Sequence, residues 1–421
     1  FRHIDLIGND TNKNMALSPP NDSTNRLISL NLINNNDIGR TLTLLKTRKV
    51  LVIYTGGTIG MKAQNNVLAP VENCLQEELR RMNIAHDKQY ADSIRETDPR
   101  ELFLYLPSPN ETECIAYYIL EYKPLLDSAN MTFDNYIQIA LNIKDVYELF
   151  DGFVILHGTD TMSYTAAALS FMFEHLSKPI VLTGSQIPIF EARCDGRDNL
   201  IGSLIVAGKL AHRIPEVTVY FNNRLYRGNR VTKIDSEGLN AYESYNFPPL
   251  AEIGINVQVK RDLIFDKGYG QFAVCTNLNI NVGVLRLYPG ITAKTVRQFL
   301  ESPIEGIVLQ TYGSGNVPSN RMDLLDELRK ATERGVIIVN CTQCIKGSVQ
   351  YMYEAATYLN QINVISGHDM TVEAALMKLS FVLARYSDNN RRKQKMIQNL
   401  RGEMSVNNPH QYIRQLSNYN D

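Results

Sequence analysis

The residues best suited to chemistry in this chain follow apolar runs. The run 50–54 breaks into Thr55-Gly-Gly-Thr58, and the run 152–156 leads into a small polar loop that contains Thr159. Glycines allow sharp turns and let the backbone approach a substrate closely, and they leave the hydroxyls of Thr55 and Thr58 uncovered beside backbone N–H donors. This arrangement suits an acyl-transfer nucleophile with an oxyanion site.

Two other interpretations of residues 55–60 stay open at this point. One is a plain turn between a strand and a loop, without chemistry. The other is a phosphate-binding loop, but the glycine spacing is Gly-Gly-x-x-Gly, no Gly-Lys-Ser/Thr follows, and residues 62–66 do not begin an amphipathic helix. The pattern therefore disfavours nucleotide binding.

Strand-like and helix-like segments alternate along the chain, which is typical of α/β proteins with parallel sheets. We predict two doubly wound α/β domains: a larger N-terminal parallel-sheet domain over residues 47–250 with the catalytic loops, a linker over 251–270, and a smaller C-terminal domain over 271–403. Residues 1–46 are polar and Asn-rich and are expected to be partly disordered, and residues 404–421 are expected to form a loose tail.

Ligands bind at the carboxyl ends of parallel strands, so the loops there are expected to bring together Thr58, Ser128, Thr159, Asp160 and Lys233. A threonine hydroxyl needs a base to attack an amide at neutral pH. A lysine can serve only where burial or a hydrogen-bonded neighbour lowers its pKa. We predict Lys233 as this base, with Asp160 orienting it and Thr159 relaying the proton.

Lys233 has two alternatives. It lies in an Arg/Lys-rich segment and could be an ordinary solvated lysine. His157 is a rival base that would give a hydroxyl-His-Asp arrangement. Because a histidine that closes an apolar strand is more often structural, we rank His157 below Lys233.

Composition argues against several function classes. The 43 basic and 44 acidic side chains nearly balance, so we expect no nucleic-acid partner and no anionic-membrane partner. No run approaches a membrane span. Six cysteines scattered over a large chain predict free thiols and a cytoplasmic location. Cys341 and Cys344 have C-x-x-C spacing without a second pair, so we expect buried thiols that line a pocket, and neither a metal nor a cofactor.

At these residues the chain resembles the L-asparaginases. The motifs that carry the similarity are Thr55-Gly-Gly-Thr58, His157-Gly-Thr-Asp-Thr161, Thr183-Gly-Ser-Gln186, Asp195-Gly-Arg-Asp-Asn199 and Arg227-Gly-Asn-Arg-Val-Thr-Lys233. Agreement with the type I, cytoplasmic branch extends to Leu287-Tyr-Pro-Gly290, Gly313-Ser-Gly-Asn316, Asn340-Cys-Thr-Gln-Cys344 and Asp369-Met-Thr-Val-Glu373. Several ordered motifs across residues 47–403 make this resemblance specific.

The resemblance implies hydrolysis of L-asparagine to L-aspartate and ammonia through an acyl-enzyme. Thr58 would be the nucleophile, and Thr159, Asp160 and Lys233 would manage the proton. Asp160 would also hold the ammonium group of the substrate. The resemblance implies that the substrate-binding residues are Gly57, Asp127, Ser128, Ala129, Gly158, Thr159 and Asp160. Members of the family build their sites between subunits, which implies a homodimer or homotetramer.

The chain departs from the family pattern at the loop that follows the nucleophile. Many asparaginases carry a tyrosine there, but Leu68 stands at that position and residues 61–70 contain no tyrosine. Some animal relatives use a tyrosine from the second domain instead. Tyr353 is our candidate for this catalytic role, with Tyr351 as its rival, and a packed aromatic with no role in the reaction is the alternative for either.

A second departure concerns regulation. Bacterial members of this branch bind a second asparagine at an allosteric site, and Thr232, Asn316 and Cys344 match its lining. The arginine expected at position 310 is replaced by Gln310. Losing a guanidinium weakens carboxylate capture, so we predict reduced or absent allosteric activation.

Other functions remain as alternatives to an asparaginase. An amidotransferase subunit that supplies ammonia for transfer-RNA charging usually carries an N-terminal barrel, for which the lead-in is short and polar. A lysophospholipase-like hydrolase lacks support from a Gly-x-Ser-x-Gly elbow or an exposed apolar helix. An inactive amino-acid-binding homologue is supported by the missing loop tyrosine alone.

Overall fold

The computed structural model describes residues 46–64, 67–97, 102–108, 113–350 and 354–405. Within these ranges the chain forms one large sheet of nine strands and one of four strands, each with its own apolar core. The two-domain α/β architecture predicted from the sequence is confirmed.

The described part of the first domain contains fifteen strands, several of them very short. They are β1 (Lys46–Gly56), β2 (Met61–Gln64), β3 (Val67–Pro70), β4 (Leu104–Leu106), β5 (Glu113–Leu126), β6 (Gly152–Leu156), β7 (Phe173–Glu174), β8 (Ile180–Thr183), β9 (Val217–Phe221), β10 (Arg224–Arg227), β11 (Thr232–Lys233), β12 (Tyr242–Glu243), β13 (Ala251–Ile253), β14 (Val257–Val259) and β15 (Ala273–Val274). Its helices are α1 (Leu75–Arg81), α2 (Lys88–Thr97), α3 (Phe133–Asp145), α4 (Met162–Met172) and α5 (Gly196–Lys209).

Strand β1 lies near the middle of the large sheet, whose order is β14-β13-β10-β9-β8-β6-β1-β5-β4. The strands β5, β1, β6, β8 and β9 run parallel, and the strands outside them are antiparallel. Residues 50–56 of β1 are buried throughout, as the continuous apolar run predicts for a strand covered on both faces. The loops after β1 and β6 therefore emerge side by side.

The second domain is a parallel sheet of β16 (Val282–Arg286), β17 (Gly306–Thr311), β18 (Ile337–Thr342) and β19 (Ile365–Ser366). Its helices are α6 (Ala293–Leu300), α7 (Met322–Glu333), α8 (Glu354–Gln361), α9 (Val372–Arg385) and α10 (Asn389–Ile397). Helix α9 packs against β16, β17 and β18 and also against α4 of the first domain. This helix therefore joins the two domains.

Several elements differ from the sequence predictions. Strand β5 was not predicted because Glu121, Lys123 and Pro124 interrupt its apolar pattern, yet it pairs with β1 and ends directly before Asp127. Within residues 61–70, expected as a loop, Met61–Gln64 and Val67–Pro70 pair as the antiparallel strands β2 and β3. Residues 251–270, which we predict as a linker, include β13 and β14, so the large sheet continues beyond residue 250.

The sequence also predicts two helices, over residues 132–150 and 163–175, and both are shorter in the structure. The second ends at Met172, because Phe173 and Glu174 pair with β15 as a short strand. The first ends at Asp145, and a separate 3₁₀ turn follows at Tyr147–Leu149.

The six cysteines are free thiols, as predicted. Cys341 is buried, but Cys344 is exposed, so the expectation of two buried thiols is wrong for Cys344. In the ranges that the structure describes, no helix combines the length and the apolarity that a membrane crossing requires.

Candidate active site

Three loops at the carboxyl edge of the large sheet pack on one another through glycines. A Cβ on Gly57 would lie 2.5 Å from the Cα of Gly158, and a Cβ on Gly158 would lie 2.5 Å from the hydroxyl of Ser128. A Cβ on Gly56 would lie 2.1 Å from the Leu126 carbonyl oxygen. Only glycine permits these approaches, so the Thr58, Thr159 and Ser128 loops form one assembly.

Thr58 follows Gly57 directly and begins a 3₁₀ turn that ends at Gly60. The Thr58 side chain is half-buried. Among the residues that the structure describes, none hydrogen-bonds the Thr58 hydroxyl. Thr55 differs, since it is buried and its hydroxyl donates to the Leu156 carbonyl over 2.9 Å. The sequence left both hydroxyls as candidates, and the structure leaves Thr58 as the available one.

Lys233 connects the residues predicted to manage the proton. Its Nζ lies 2.9 Å from Thr159 Oγ1 and 2.7 Å from Asp160 Oδ1. The Lys233 side chain is 18% exposed, whereas that of Asp160 is 63% exposed. Lys233 is therefore not the solvated surface lysine of the alternative interpretation.

The motif around Gln186 supports Thr159 from the other side. Thr159 Oγ1 lies 3.4 Å from Gln186 Oε1, and the backbone N–H of Gln186 donates to Asp195 Oδ2 over 3.0 Å. The Asn199 side chain in turn donates to the Gly184 carbonyl over 2.9 Å. The Thr183–Gln186 and Asp195–Asn199 motifs thus form a scaffold behind the Thr159 hydroxyl.

His157 is fully buried and both of its ring nitrogens have partners within the protein. Nδ1 lies 2.6 Å from the Gly158 carbonyl oxygen, which can only accept, so Nδ1 carries the proton. Nε2 therefore accepts from the Thr165 hydroxyl at 2.8 Å. Burial lowers the pKa of His157 to about 4, with the Gly158 carbonyl acting in the opposite direction. Its position is that of a structural histidine.

The loop predicted to hold the substrate carboxylate follows β5 directly. The Asp127 side chain accepts from the Ala129 N–H over 3.0 Å and so caps the 3₁₀ turn Ser128–Asn130. The carbonyl of Ser128 accepts from the Thr161 hydroxyl over 2.7 Å, which ties this turn to the Thr159 loop. Ser128 itself is 2% exposed.

Tyr242 belongs to the site and was missed by the sequence analysis. It is fully buried, it stands opposite Lys233 in the β11–β12 pair, and its hydroxyl donates to the Thr159 carbonyl. Burial raises the pKa of the Tyr242 phenol well above its usual value, and the nearby carboxylates of Asp160 and Glu373 add to this effect. No motif marks this tyrosine in the sequence, because its contact depends on the fold of the hairpin.

The segment that precedes Lys233 is held by the C-terminal domain. Arg230 donates to Asp369 Oδ2 over 2.9 Å and to the Gly402 carbonyl over 2.6 Å. Asn229 donates to the Arg401 carbonyl over 2.8 Å. These contacts explain why the Arg-Gly-Asn-Arg motif leads into the predicted base.

The residues predicted for allosteric binding divide into two groups. Gln310, Asn316 and Cys344 lie at or beyond the carboxyl ends of the adjacent strands β17 and β18, where the Thr342 hydroxyl joins the two loops through the Gly313 carbonyl. The buried Asn316 Oδ1 has no hydrogen-bond partner in the structure as described. The Thr232 hydroxyl, by contrast, donates to Glu373 over 2.6 Å.

Tyr353 and Tyr351 lie outside the described residues, so their roles stay predictions. Within the described ranges, no group of three or more His, Cys, Asp or Glu side chains could hold a metal ion.

Comparison with known families and proteins agrees with this geometry. The family model "Asparaginase, N-terminal" matches residues 49–265, and "Glutaminase/Asparaginase C-terminal domain" matches residues 281–396. The chain is similar to L-asparaginase of Dirofilaria immitis (47% identity, 85% of this chain and 60% of that protein) and to mouse 60 kDa lysophospholipase (45%, 85% and 63%). It therefore spans about three fifths of the length of these two relatives.

Bacterial proteins match over nearly their whole length. L-asparaginase 1 of Escherichia coli K12 is 42% identical over 86% of this chain and 99% of that protein. The solved structure of L-asparaginase I from Vibrio cholerae is 42% identical, covers 86% of this chain and 100% of that chain, and superposes with a TM-score of 0.73. The resemblance seen in the motifs is thereby confirmed, and the chain belongs to the asparaginase family.

Proposed function

We propose that this protein is an L-asparagine amidohydrolase that acts through Thr58. The observation that carries the proposal is the position of Lys233, whose Nζ contacts both Thr159 Oγ1 and Asp160 Oδ1 in a loop packed against Gly57. The adjacent Thr58 has a free hydroxyl, and the Thr159 hydroxyl and the Lys233 amine are already in contact with each other. Nucleophilic amide hydrolysis requires such an arrangement.

The reaction consists of two acyl transfers. The Thr58 oxygen attacks the side-chain amide carbon of asparagine while its proton passes by way of Thr159 to Lys233. The C–N bond then breaks, and ammonia leaves with a proton returned from the same group. Water attacks the acyl-enzyme, and aspartate leaves as the Thr58 hydroxyl is restored. Backbone N–H groups near Thr159 and the Gly56–Gly57 turn stabilise the oxyanion, and each such donor is typically worth about 3 to 4 kcal/mol.

The substrate termini are held on either side of this centre. The carboxylate of Asp160, which is exposed enough to meet a ligand, binds the ammonium group. The turn of Asp127, Ser128 and Ala129 binds the carboxylate through Ser128 and backbone donors. Tyr353 takes the part of the missing loop tyrosine, with Tyr351 as its rival.

We further propose a homodimer or homotetramer in the cytoplasm. The free thiols fit a reducing compartment. The L-asparaginase relatives support the choice of substrate. The chain spans about three fifths of the longer relative, so the proposal concerns the activity of this chain alone.

A second candidate activity is hydrolysis of lysophospholipids. It is favoured by the 45% identity to the mouse and human proteins named 60 kDa lysophospholipase. The polar surroundings of Thr159 and Asp160 suit an amino acid better than an acyl chain, so we place this activity second.

The test is ammonia release by the purified protein over a range of L-asparagine concentrations, with L-glutamine and a lysophospholipid assayed in parallel. We expect asparagine-dependent release that is lost in Thr58→Ala, and a hyperbolic rate curve because Gln310 replaces the arginine of the bacterial allosteric site. A sigmoidal curve would contradict the prediction about regulation. Absence of release, with asparagine still bound, would refute the enzymatic proposal and favour a binding protein or an amidotransferase-type subunit.

A further inference from the structure

Glu373, in the first turn of α9, places a buried carboxyl between the two segments that carry the proposed proton-handling groups. Its Oε1 accepts from the Thr232 hydroxyl at 2.6 Å and from the Ser163 hydroxyl at 3.4 Å. Glu373 is 9% exposed, so this carboxyl is turned towards the protein interior.

The two partners of Glu373 lie next to the two groups that Lys233 connects. Thr232 immediately precedes Lys233 in β11, and Ser163 stands in the first turn of α4, which follows the Thr159–Thr161 loop. The carboxyl therefore forms a second bridge between the same segments as the Lys233–Thr159 contact. Two bridges fix the distance between a strand and a loop, whereas one leaves them free to pivot.

The position of Glu373 is set by the C-terminal domain. Helix α9 packs on the four-stranded sheet and against α4. Further along this helix, Lys378 Nζ lies 2.6 Å from Glu403 Oε1, and both side chains are fully buried. Asp369, just before the helix, binds Arg230. Each contact limits the freedom of α9 to shift relative to β11.

We propose that Glu373 is a positioning residue that sets the geometry of Lys233 and Thr159 from the C-terminal domain. The inference rests on the proposed function, in which Lys233 and Thr159 handle the proton. It assigns part of the geometry of the reaction centre to the second domain, by contacts within a single chain.

The neutral isostere is an informative probe of this residue. Burial raises the pKa of the Glu373 carboxyl, while the Thr232 and Ser163 hydroxyls oppose that shift. A glutamine keeps one acceptor oxygen at the same distance along the side chain. If positioning is the role, Glu373→Gln should recover most of the activity that Glu373→Ala loses.

The experiment compares kcat and KM for L-asparagine in Glu373→Ala, Glu373→Gln, Thr232→Val and the Glu373→Ala/Thr232→Val double variant. We expect kcat to fall about 10- to 100-fold in Glu373→Ala, with KM changed less than about threefold, because small displacements of a reacting group cost about this much. Thr232→Val should lose a large part of the same activity, and the double variant should be no worse than Glu373→Ala. Glu327→Gln, a buried carboxyl on α7 bonded to Arg297, is the control and should keep the wild-type kcat.

Additive losses, or a folded Glu373→Ala with kcat within twofold of wild type, would overturn the proposal. If Glu373→Ala does not fold, Glu373→Gln and Thr232→Val provide the test. A fall in kcat of at least fivefold in Thr232→Val, together with a fall of less than threefold in Glu373→Gln, supports positioning. Any other pattern refutes it. If the wild type releases no ammonia, the proposed function fails instead. Positioning is then measured by acetylation of Lys233 with acetic anhydride, relative to Lys330. Faster labelling of Lys233 in Thr232→Val supports it, and an unchanged rate refutes it.

Discussion

Thr58 and Thr159 follow adjacent parallel strands, yet the structure treats their hydroxyls differently. The Thr159 hydroxyl lies 2.9 Å from Lys233 Nζ and 3.4 Å from Gln186 Oε1. The Thr58 hydroxyl has no partner among the described residues and is half-buried. The difference teaches that the ends of adjacent strands can present chemically identical groups in different ways: one hydroxyl is held by protein contacts, and the other has no partner among the described residues.

The glycines explain how the two loops come so close. Gly57 adopts φ +88°, and a Cβ there would lie 2.5 Å from the Gly158 backbone. An alanine at Gly57 would force these two loops apart, and an alanine at Gly158 would collide with Ser128. The contrast between the two threonines therefore depends on backbone contact as much as on the side chains that surround them.

Removing the free hydroxyl should have the largest effect. In Thr58→Ala we expect kcat to fall about 10³-fold or more, because no other group can form the acyl-enzyme. Asparagine binding, measured by calorimetry, should survive since the Asp160 carboxylate and the Ser128 turn are intact. A variant that keeps a tenth of the wild-type rate would show that Thr58 is not the nucleophile.

Thr55→Val is the matched control, three residues earlier, near the end of β1. Its hydroxyl donates to the Leu156 carbonyl, so its loss should cost about 1 kcal/mol of unfolding free energy. The rate should stay within about fivefold of wild type. A loss as deep as that of Thr58→Ala would mean that the turn as a whole, rather than one hydroxyl, supports catalysis.

Removing the amine that fixes Thr159 should come second. In Lys233→Met we expect kcat to fall about 10²- to 10³-fold, the usual range for a lost acid–base group. Lys233→Arg separates proton transfer from charge, because a guanidinium keeps donors and charge but does not deprotonate. If Lys233→Arg restores activity, the role of Lys233 is electrostatic and the proposed base is wrong.

Removing the hydrogen bond from Tyr242 to the Thr159 carbonyl should have a smaller effect on kcat. Tyr242→Phe removes the phenol that donates to the Thr159 carbonyl and keeps the buried ring. We expect kcat to fall about 3- to 10-fold, which matches the free energy of one neutral hydrogen bond, with KM changed less. An equal effect on kcat in a Lys233→Met background would show that Tyr242 does not act through the Lys233–Thr159 pair.

Sequence patterns located the candidate residues of this site more completely than the strands and contacts that hold them in place. Continuous apolar runs located β1 and β6, and the polar loops after these two strands contain Thr58, Thr159 and Asp160. Strand β5 was missed because charged residues and Pro124 interrupt it, although it delivers Ser128 to the same edge. Strands that lie near a sheet edge or face solvent on one side lack the continuous pattern that makes buried ones visible.

Contacts between distant segments were harder to predict. Tyr242 stands 83 residues from Thr159 in sequence, and Glu373 stands 141 residues from Thr232. Tyr242 lies outside every recognised motif, and the Asp369–Glu373 motif gives no sign of the contact that Glu373 makes. Each contact depends on how a hairpin or a helix packs. The motif with Arg230 was recognised, but its purpose, to hold the strand before Lys233 against Asp369 and Gly402, required the fold.

His157 provides the mildest test, since it lies beside the Thr159 loop without taking part in it. His157→Gln keeps a donor for the Gly158 carbonyl and an acceptor for Thr165, so kcat should stay within about fivefold of wild type. A loss as deep as that of Lys233→Met would reverse the choice of base.

The same variant tests the protonation state through stability. Because burial depresses the pKa of His157 from 6.5 to about 4, the neutral ring stabilises the fold fully above pH 6.5. This contribution is lost as pH falls from 6.5 towards 4, when the unfolded chain takes up the proton first, and it amounts to about 3 kcal/mol. Urea unfolding between pH 7.5 and 4.5 should therefore show a flatter pH dependence in His157→Gln than in wild type, because the other titrating groups are common to both. Parallel curves would mean that the pKa of His157 is the same in the folded and unfolded chain, and that burial does not hold the ring neutral.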